Sequence, residues 1–163
     1  MRRRGAAWAL AVAFTVAGCG GDSTVPPPTS KATGLFTGND GMGLGIAVDF
    51  VGYDRTKRAI QAALGPKWSV GIVSLVNRST DLVPVPTFAA TVPDGRRVAL
   101  ERAKTMRLGG AAVPVADPGP YVPVQGALTA YVTFPGRVDE IRRLRMRVGN
   151  RLPIELRAEQ PGG

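Results

Sequence analysis

Few side chains in this sequence are equipped for chemistry. The chain has 163 residues, with one cysteine, Cys19, and no histidine. A thiolate is a strong nucleophile, so Cys19 is the position where covalent chemistry is expected. The missing histidine removes the commonest general base and the commonest metal ligand together. Ser-His-Asp and Cys-His catalysis are thereby excluded in their ordinary forms. A lone cysteine also forms no internal disulfide, so a packed core must hold the fold. Asp139 and Glu140 are the only adjacent carboxylates. Sequence neighbours point apart in a strand, so the pair does not make a facing acid and base. Asn39, Asp40, Asp49 and Asp54 carry oxygen ligands, but their spacing matches no calcium loop. Gly41-Met42-Gly43-Leu44-Gly45 has the spacing G-x-G-x-G, which is not that of a dinucleotide loop, and reads as a flexible lead-in to a strand. No catalytic residue, metal or cofactor is expected.

The one unusual surface is Arg142-Arg143-Leu144-Arg145-Met146-Arg147-Val148. With the period of a strand, Arg143, Arg145 and Arg147 share one face, while Leu144, Met146 and Val148 face a core. Lined-up guanidiniums are suited to phosphates or carboxylates of an envelope polymer or lipid headgroup. The competing explanation is a charged face or edge that resists unwanted strand pairing. Formal net charge is +9. Removal of Arg2, Arg3 and Arg4 with a leader would leave +6 on the mature chain. That balance favours anionic partners without choosing among them. Nucleic acid is disfavoured because no aromatic stripe accompanies the arginines.

The elements that must position these residues begin with an N-terminal address. Residues 1–19 read MRRRGAAWALAVAFTVAGC: three arginines, an apolar run to about Ala17, then Val16-Ala17-Gly18-Cys19. This is the charged and then apolar order of an export signal. The run is shorter than the roughly 20 apolar residues that a transmembrane helix needs. The segment resembles the bacterial lipoprotein signal, whose lipobox is usually Leu-Ala/Ser-Gly/Ala-Cys, with Val16 in place of leucine. Arg3-Arg4 could suggest twin-arginine export, but a generic basic start explains it better. The resemblance implies a signal peptide over 1–18 and cleavage before Cys19. It also implies two or three acyl chains on Cys19, enough for stable anchoring on the extracytoplasmic face of the cell membrane. Residues 19–33 continue as small, polar, proline-rich sequence, expected to be a disordered tether. Pro26 to Pro28 stiffen it locally toward polyproline II.

Residues 34–159 are expected to form the folded domain, with 160–163 as a tail. Leu44 to Val51 is a strand candidate. Asp54 can cap a helix over 55–64, and Gly65-Pro66 stops it. Trp68 to Val76, Thr87 to Val92, Arg97 to Glu101, Ala127 to Phe134, Arg143 to Val148 and Ile154 to Arg157 read as further strands. Gly109 to Pro123 reads as a long loop. The expected core is Trp68, Val70, Ile72, Phe88, Val98, Leu128, Val132, Phe134, Leu144, Met146 and Leu156. Short strands with turns between them predict a mostly β fold, a β-sandwich with one short helix.

A second resemblance rests on "VNRST", the Asp94-Gly95-Arg96 hairpin, the Pro/Gly loop and "ALTAYVTFP". Over about residues 66–150 this order is similar to the small immunoglobulin-like domains of Gram-positive envelope lipoproteins. It is also similar to secreted immunogenic antigens of mycobacteria. The resemblance implies an immunoglobulin-like β-sandwich at the cell envelope, in families with no agreed enzymatic activity. The chain departs from that pattern in the helix at 55–64 and in Phe134-Pro135 being adjacent. The function expected is therefore a membrane-anchored extracytoplasmic binding module for an envelope protein or anionic polymer. The alternatives are an envelope enzyme with a non-histidine site and an accessory subunit of an envelope complex.

Overall fold

The computed structural model describes residues 34–108, 111–114 and 119–159. The segment read as a signal peptide, Cys19, the tether and the tail at 160–163 all lie outside the described residues. Eight strands form the body: β1 (Leu35–Asn39), β2 (Leu44–Asp49), β3 (Ser69–Asn77), β5 (Thr87–Thr91), β6 (Arg97–Arg102), β10 (Ala127–Phe134), β11 (Arg143–Arg147) and β12 (Ile154–Ala158). Two short antiparallel pairs accompany them, β4 (Val83–Pro84) with β9 (Tyr121–Val122) and β7 (Thr105–Leu108) with β8 (Ala111–Pro114). One helix, α1 (Arg55–Leu64), follows β2.

The mostly β prediction with one helix holds, and the immunoglobulin-like sandwich does not. The eight strands close into a barrel in the order β1-β12-β11-β5-β6-β10-β3-β2, and every pair is antiparallel. β5, β6 and β10 run as consecutive neighbours, and β11 returns beside β5 in a Greek key. A sandwich leaves two sheets with open edges, whereas here both edges are joined. The joins are narrow. β1 meets β12 at two registers, Phe36↔Ala158 and Thr37↔Arg157, and β6 meets β10 at Val132↔Arg102 and Thr133↔Glu101. Period-two patterning is the same in a sandwich and in a barrel, so nothing local separates them.

The helix forms where its end signals lie. Asp54 Oδ1 accepts from Lys57 N at 2.7 Å, and Gly65 at φ 83° donates to Gln61 O at 2.9 Å. Its Ile60 packs on Val70 from outside the barrel. This corrects the expected core. Val70 is buried under α1, and Ile72 is only half-buried on the same outer face. The inward residues of β3 are Gly71, Val73 and Leu75. A helix on the outer face makes both faces of β3 apolar, which hides the phase of the strand. Trp68 is likewise half-buried, and Val98 and Leu128 are partly buried against the core. Phe88, Val132, Phe134, Leu144, Met146 and Leu156 fill the barrel as expected. The sequence reading missed β1 and its Phe36, which is 1% exposed. Phe36 meets Phe50 edge to face, with ring centroids 6.2 Å apart at 87°. Gly71 makes room for that ring, since a Cβ there would lie 3.0 Å from Phe50 Cε1.

Candidate functional site

Strand β11 presents its row as its alternation requires. Leu144 and Met146 are buried, Arg143 and Arg147 are exposed, and Arg145 is half-buried. β11 is paired on both sides, to β5 and to β12. The row therefore guards no open strand edge and is a charged face of the wall. Arg143 lies opposite Thr91 and Arg145 opposite Ala89; one strand further, Thr91 lies opposite Arg97 and Ala89 opposite Ala99. Thr87, Ala89, Thr91 and Ala99 make a low floor, and short side chains there leave a trough of about 240 Å³. Arg145 and Arg147 bound it on one side and Arg97 on the other, and no carboxylate lines it.

The three predicted arginines are not equivalent. Glu155 on β12 sits 3.8 Å from Arg143 and 3.6 Å from Arg145, on the side away from the trough. Exposed pairs at such distances contribute at most about 1 kcal/mol, but they do share out the charge. Arg97 and Arg147 are in no ion pair among the described residues. Arg143 contributes to the row without lining the trough. Arg97 is the functional candidate that sequence reasoning missed, because its place beside the row depends on the order β11-β5-β6.

The remaining polar candidates are used by their own turns. Asp40 accepts from Met42 N at 2.8 Å and Leu44 N at 2.9 Å, and Arg151 reaches its other oxygen at 2.9 Å. Asn39 accepts from Gly41 N, and Asp49 from Val51 N and Gly52 N. The glycine run is the β1–β2 turn, where Gly41 and Gly43 take φ of 71° and 108°. Asp139 and Glu140 fall in a 3-10 turn rather than a strand, and Arg137 holds Asp139 through two hydrogen bonds. No group of three potential metal ligands occurs among the described residues, and no described helix is long and apolar enough to cross a membrane.

One further polar cluster sits where α1 begins. Lys57 Nζ donates to Phe50 O and Gly52 O, both at 2.6 Å. Burial pushes the ammonium below its ordinary value, against the pull of Asp49 and Asp54. Tyr131 Oη donates to Asp54 Oδ2 at 2.9 Å. Burial first, and then that bond, hold the phenol above its ordinary value of 10.0, against a lowering bond with Thr56. A raised folded value keeps the proton on the native phenol after the unfolded one has lost it. That contribution to stability is present below about pH 10 and is lost as pH rises through the folded value. Lys57 acts oppositely, adding stability as pH climbs toward its unfolded value of 10.5. Tyr131→Phe is therefore expected to remove the downward part of the alkaline response and leave the Lys57 part. Urea unfolding in steps from pH 8 to pH 11 reads this difference, and parallel curves for the two proteins would contradict it.

The described residues thus define a closed, all-antiparallel eight-stranded barrel with an external helix and a cationic trough. No protein-family model and no curated protein matches the chain. Among solved structures it is similar to a DUF4426 family protein from Pseudomonas aeruginosa PAO1, at a TM-score of 0.35 and 12% identity. That overlap covers 80% of this chain and 98% of the other.

Proposed function

We propose that the protein is an extracytoplasmic binding module, anchored to the cell membrane by lipid on Cys19, whose barrel holds an anionic envelope polymer against β5, β6 and β11. The observation that carries the binding role is the trough: Arg97, Arg145 and Arg147 around a floor of threonine and alanine, with no carboxylate in its lining. A guanidinium presents a fixed fork of donors to phosphate or carboxylate oxygens. Arg145 and Arg147 stand about 7 Å apart along the strand, a spacing suited to anions repeated along a chain. Apolar side chains fill the barrel and arginines stand on the outer face of β11, the reverse of the lining and lipid-facing pattern of a membrane-spanning barrel. The anchor rests on residues 1–19, where a single cysteine closes an apolar run. Binding rather than catalysis is favoured because Asp40, Asp49, Asp54 and Lys57 are engaged with backbone groups.

Inorganic polyphosphate and polyglutamate are suitable probes, one for each anion type. The protein with Arg97, Arg145 and Arg147 all changed to Gln is expected to bind at least one probe about tenfold or more weakly, with a shallower salt dependence. Arg142→Gln, outside the trough, is the control and should change little. Equal affinity and equal salt dependence of the triple variant and the parent would overturn the trough as the site.

A further inference from the structure

The barrel has two ends, and the described chain enters at one of them. Gly34 is its first residue. The Gly34 carbonyl accepts from Phe50 N at 2.7 Å, and a Cβ on Gly34 would lie 2.7 Å from Val51 Cγ2. Antiparallel alternation gathers residues 50–68, 92–96 and 135–142 at this same end. Val51 and Tyr53 stand there 67% and 70% exposed. A groove of about 620 Å³ lies against them and α1, and no carboxylate lines it. The helix turns cations to solvent beside them. Lys57 and Ile60 are buried, so Arg55, Arg58 and Ala62 form its exposed face. Arg58 lies over the Tyr53 ring, 4.7 Å from its centroid, which joins the cationic surface to the aromatic one. Lys67 is exposed next to Pro66, which lines the groove. Arg55, Arg58 and Lys67 are in no ion pair among the described residues. The nearby Asp49 and Asp54 turn inward, onto Val51 N, Gly52 N, Lys57 N and Tyr131 Oη. Of the other carboxylates at this end, Asp94, Asp139 and Glu159 are engaged by Arg96, Arg137 and Thr37, which leaves Glu140.

We infer that this face docks on a surface of anionic lipid, with Val51 and Tyr53 in the interfacial layer and Arg55, Arg58 and Lys67 on headgroup phosphates. A tyrosine places an apolar ring at the acyl boundary and a phenol in the wet headgroup layer, and an exposed aliphatic neighbour adds buried area. Anionic headgroups attract each basic side chain held close to them. The place where the chain enters selects a membrane as the occupant. An anchor on Cys19 would hold the barrel through Gly34, beside Val51, so lipid is the surface nearest this face. The other six exposed large apolar side chains of the described residues, Leu152 and Tyr121 among them, lie toward the opposite end, away from that entry. The inference rests on the proposed anchor and is separate from the trough, with which the groove shares no lining residue.

The test is hydroxyl-radical footprinting of the full chain, as recovered from expressing cells, with vesicles of phosphatidylcholine alone or with about one-third phosphatidylglycerol. Oxidation of Tyr53 is expected to be about threefold or more lower with the anionic vesicles, while Tyr121, half-exposed at the opposite end, reacts equally with both. Protein with Arg55, Arg58 and Lys67 all changed to Gln should lose the difference between the two vesicles, and Val51→Ser should reduce it. Protein with Arg97, Arg145 and Arg147 changed to Gln should keep it. Equal oxidation of Tyr53 with both vesicles would overturn the inference. So would protection of Tyr121 and Met42 in its place, or protection of Tyr53 that survives loss of the three cations. The anchor is read separately, from the mass of the N-terminal peptide. Lipid on Cys19 with no change at Tyr53 keeps the anchor and overturns the docking face, and protection of Tyr53 without lipid on Cys19 does the reverse.

Discussion

Phe36→Ala is expected to lower the unfolding free energy by about 3–5 kcal/mol, the range for removing a large aromatic from a packed core. A domain of this size holds only about 5–15 kcal/mol in total, so the variant approaches the limit of folding. Three features place Phe36 at the top of that range. It is 1% exposed. It loses an edge-to-face partner in Phe50. It also occupies one of the two registers that join β1 to β12, so the cavity opens at a narrow closure of the barrel. Urea unfolding measures the loss. Hydrogen exchange should show its position, with the Glu159 amide that donates to Leu35 O losing protection before the amides of β3 and β10. A loss below about 1 kcal/mol would mean that the seam does not depend on this ring.

Asn77→Ala is expected to cost about 2–4 kcal/mol, although it deletes only a small polar side chain. Asn77 is 1% exposed. Its Nδ2 donates to Asp81 O at 2.8 Å and to Val122 O at 3.4 Å, and its Oδ1 accepts from Ser79 N at 2.9 Å and Ser79 Oγ at 2.7 Å. One side chain thus ties the end of β3, the following turn and β9 together. Removing it leaves Val122 O without this donor in the interior and takes a partner from the part-buried Ser79 N, and buried polar groups that lose a partner are costly. Asn77→Asp should recover the acceptor half and not the donor half, falling between parent and Ala variant. Thermal unfolding of the three proteins checks the order, and a stable Asn77→Ala protein would contradict it.

How much of this was legible depended on where the information resides. α1 was readable because Asp54 and Gly65 act on their own neighbours. β10 was readable over its full length because Leu128, Ala130, Val132 and Phe134 alternate cleanly with Thr129, Tyr131 and Thr133. β1 was missed because Leu35-Phe36-Thr37-Gly38-Asn39 is short and has glycine and polar residues among its apolar ones. Closure of the barrel was not legible, since it rests on pairings between residues as far apart as Phe36 and Ala158. The site divided in the same way. Arg143, Arg145 and Arg147 follow from the period of one strand. Arg97 and the neutral floor follow only from the order of three strands. In place of an immunoglobulin-like sandwich, the cationic row therefore sits on a closed wall and needs a reason other than edge protection.

The central claim is a binding module held at a membrane through Cys19, and the mass of the native N-terminal peptide tests it most directly. Protein extracted from the membranes of cells expressing the full chain should begin at Cys19 and carry a thioether-linked diacylglyceryl group, with or without a further acyl chain. An N-terminus elsewhere, or an unmodified Cys19 on protein recovered from the aqueous fraction, would contradict the account.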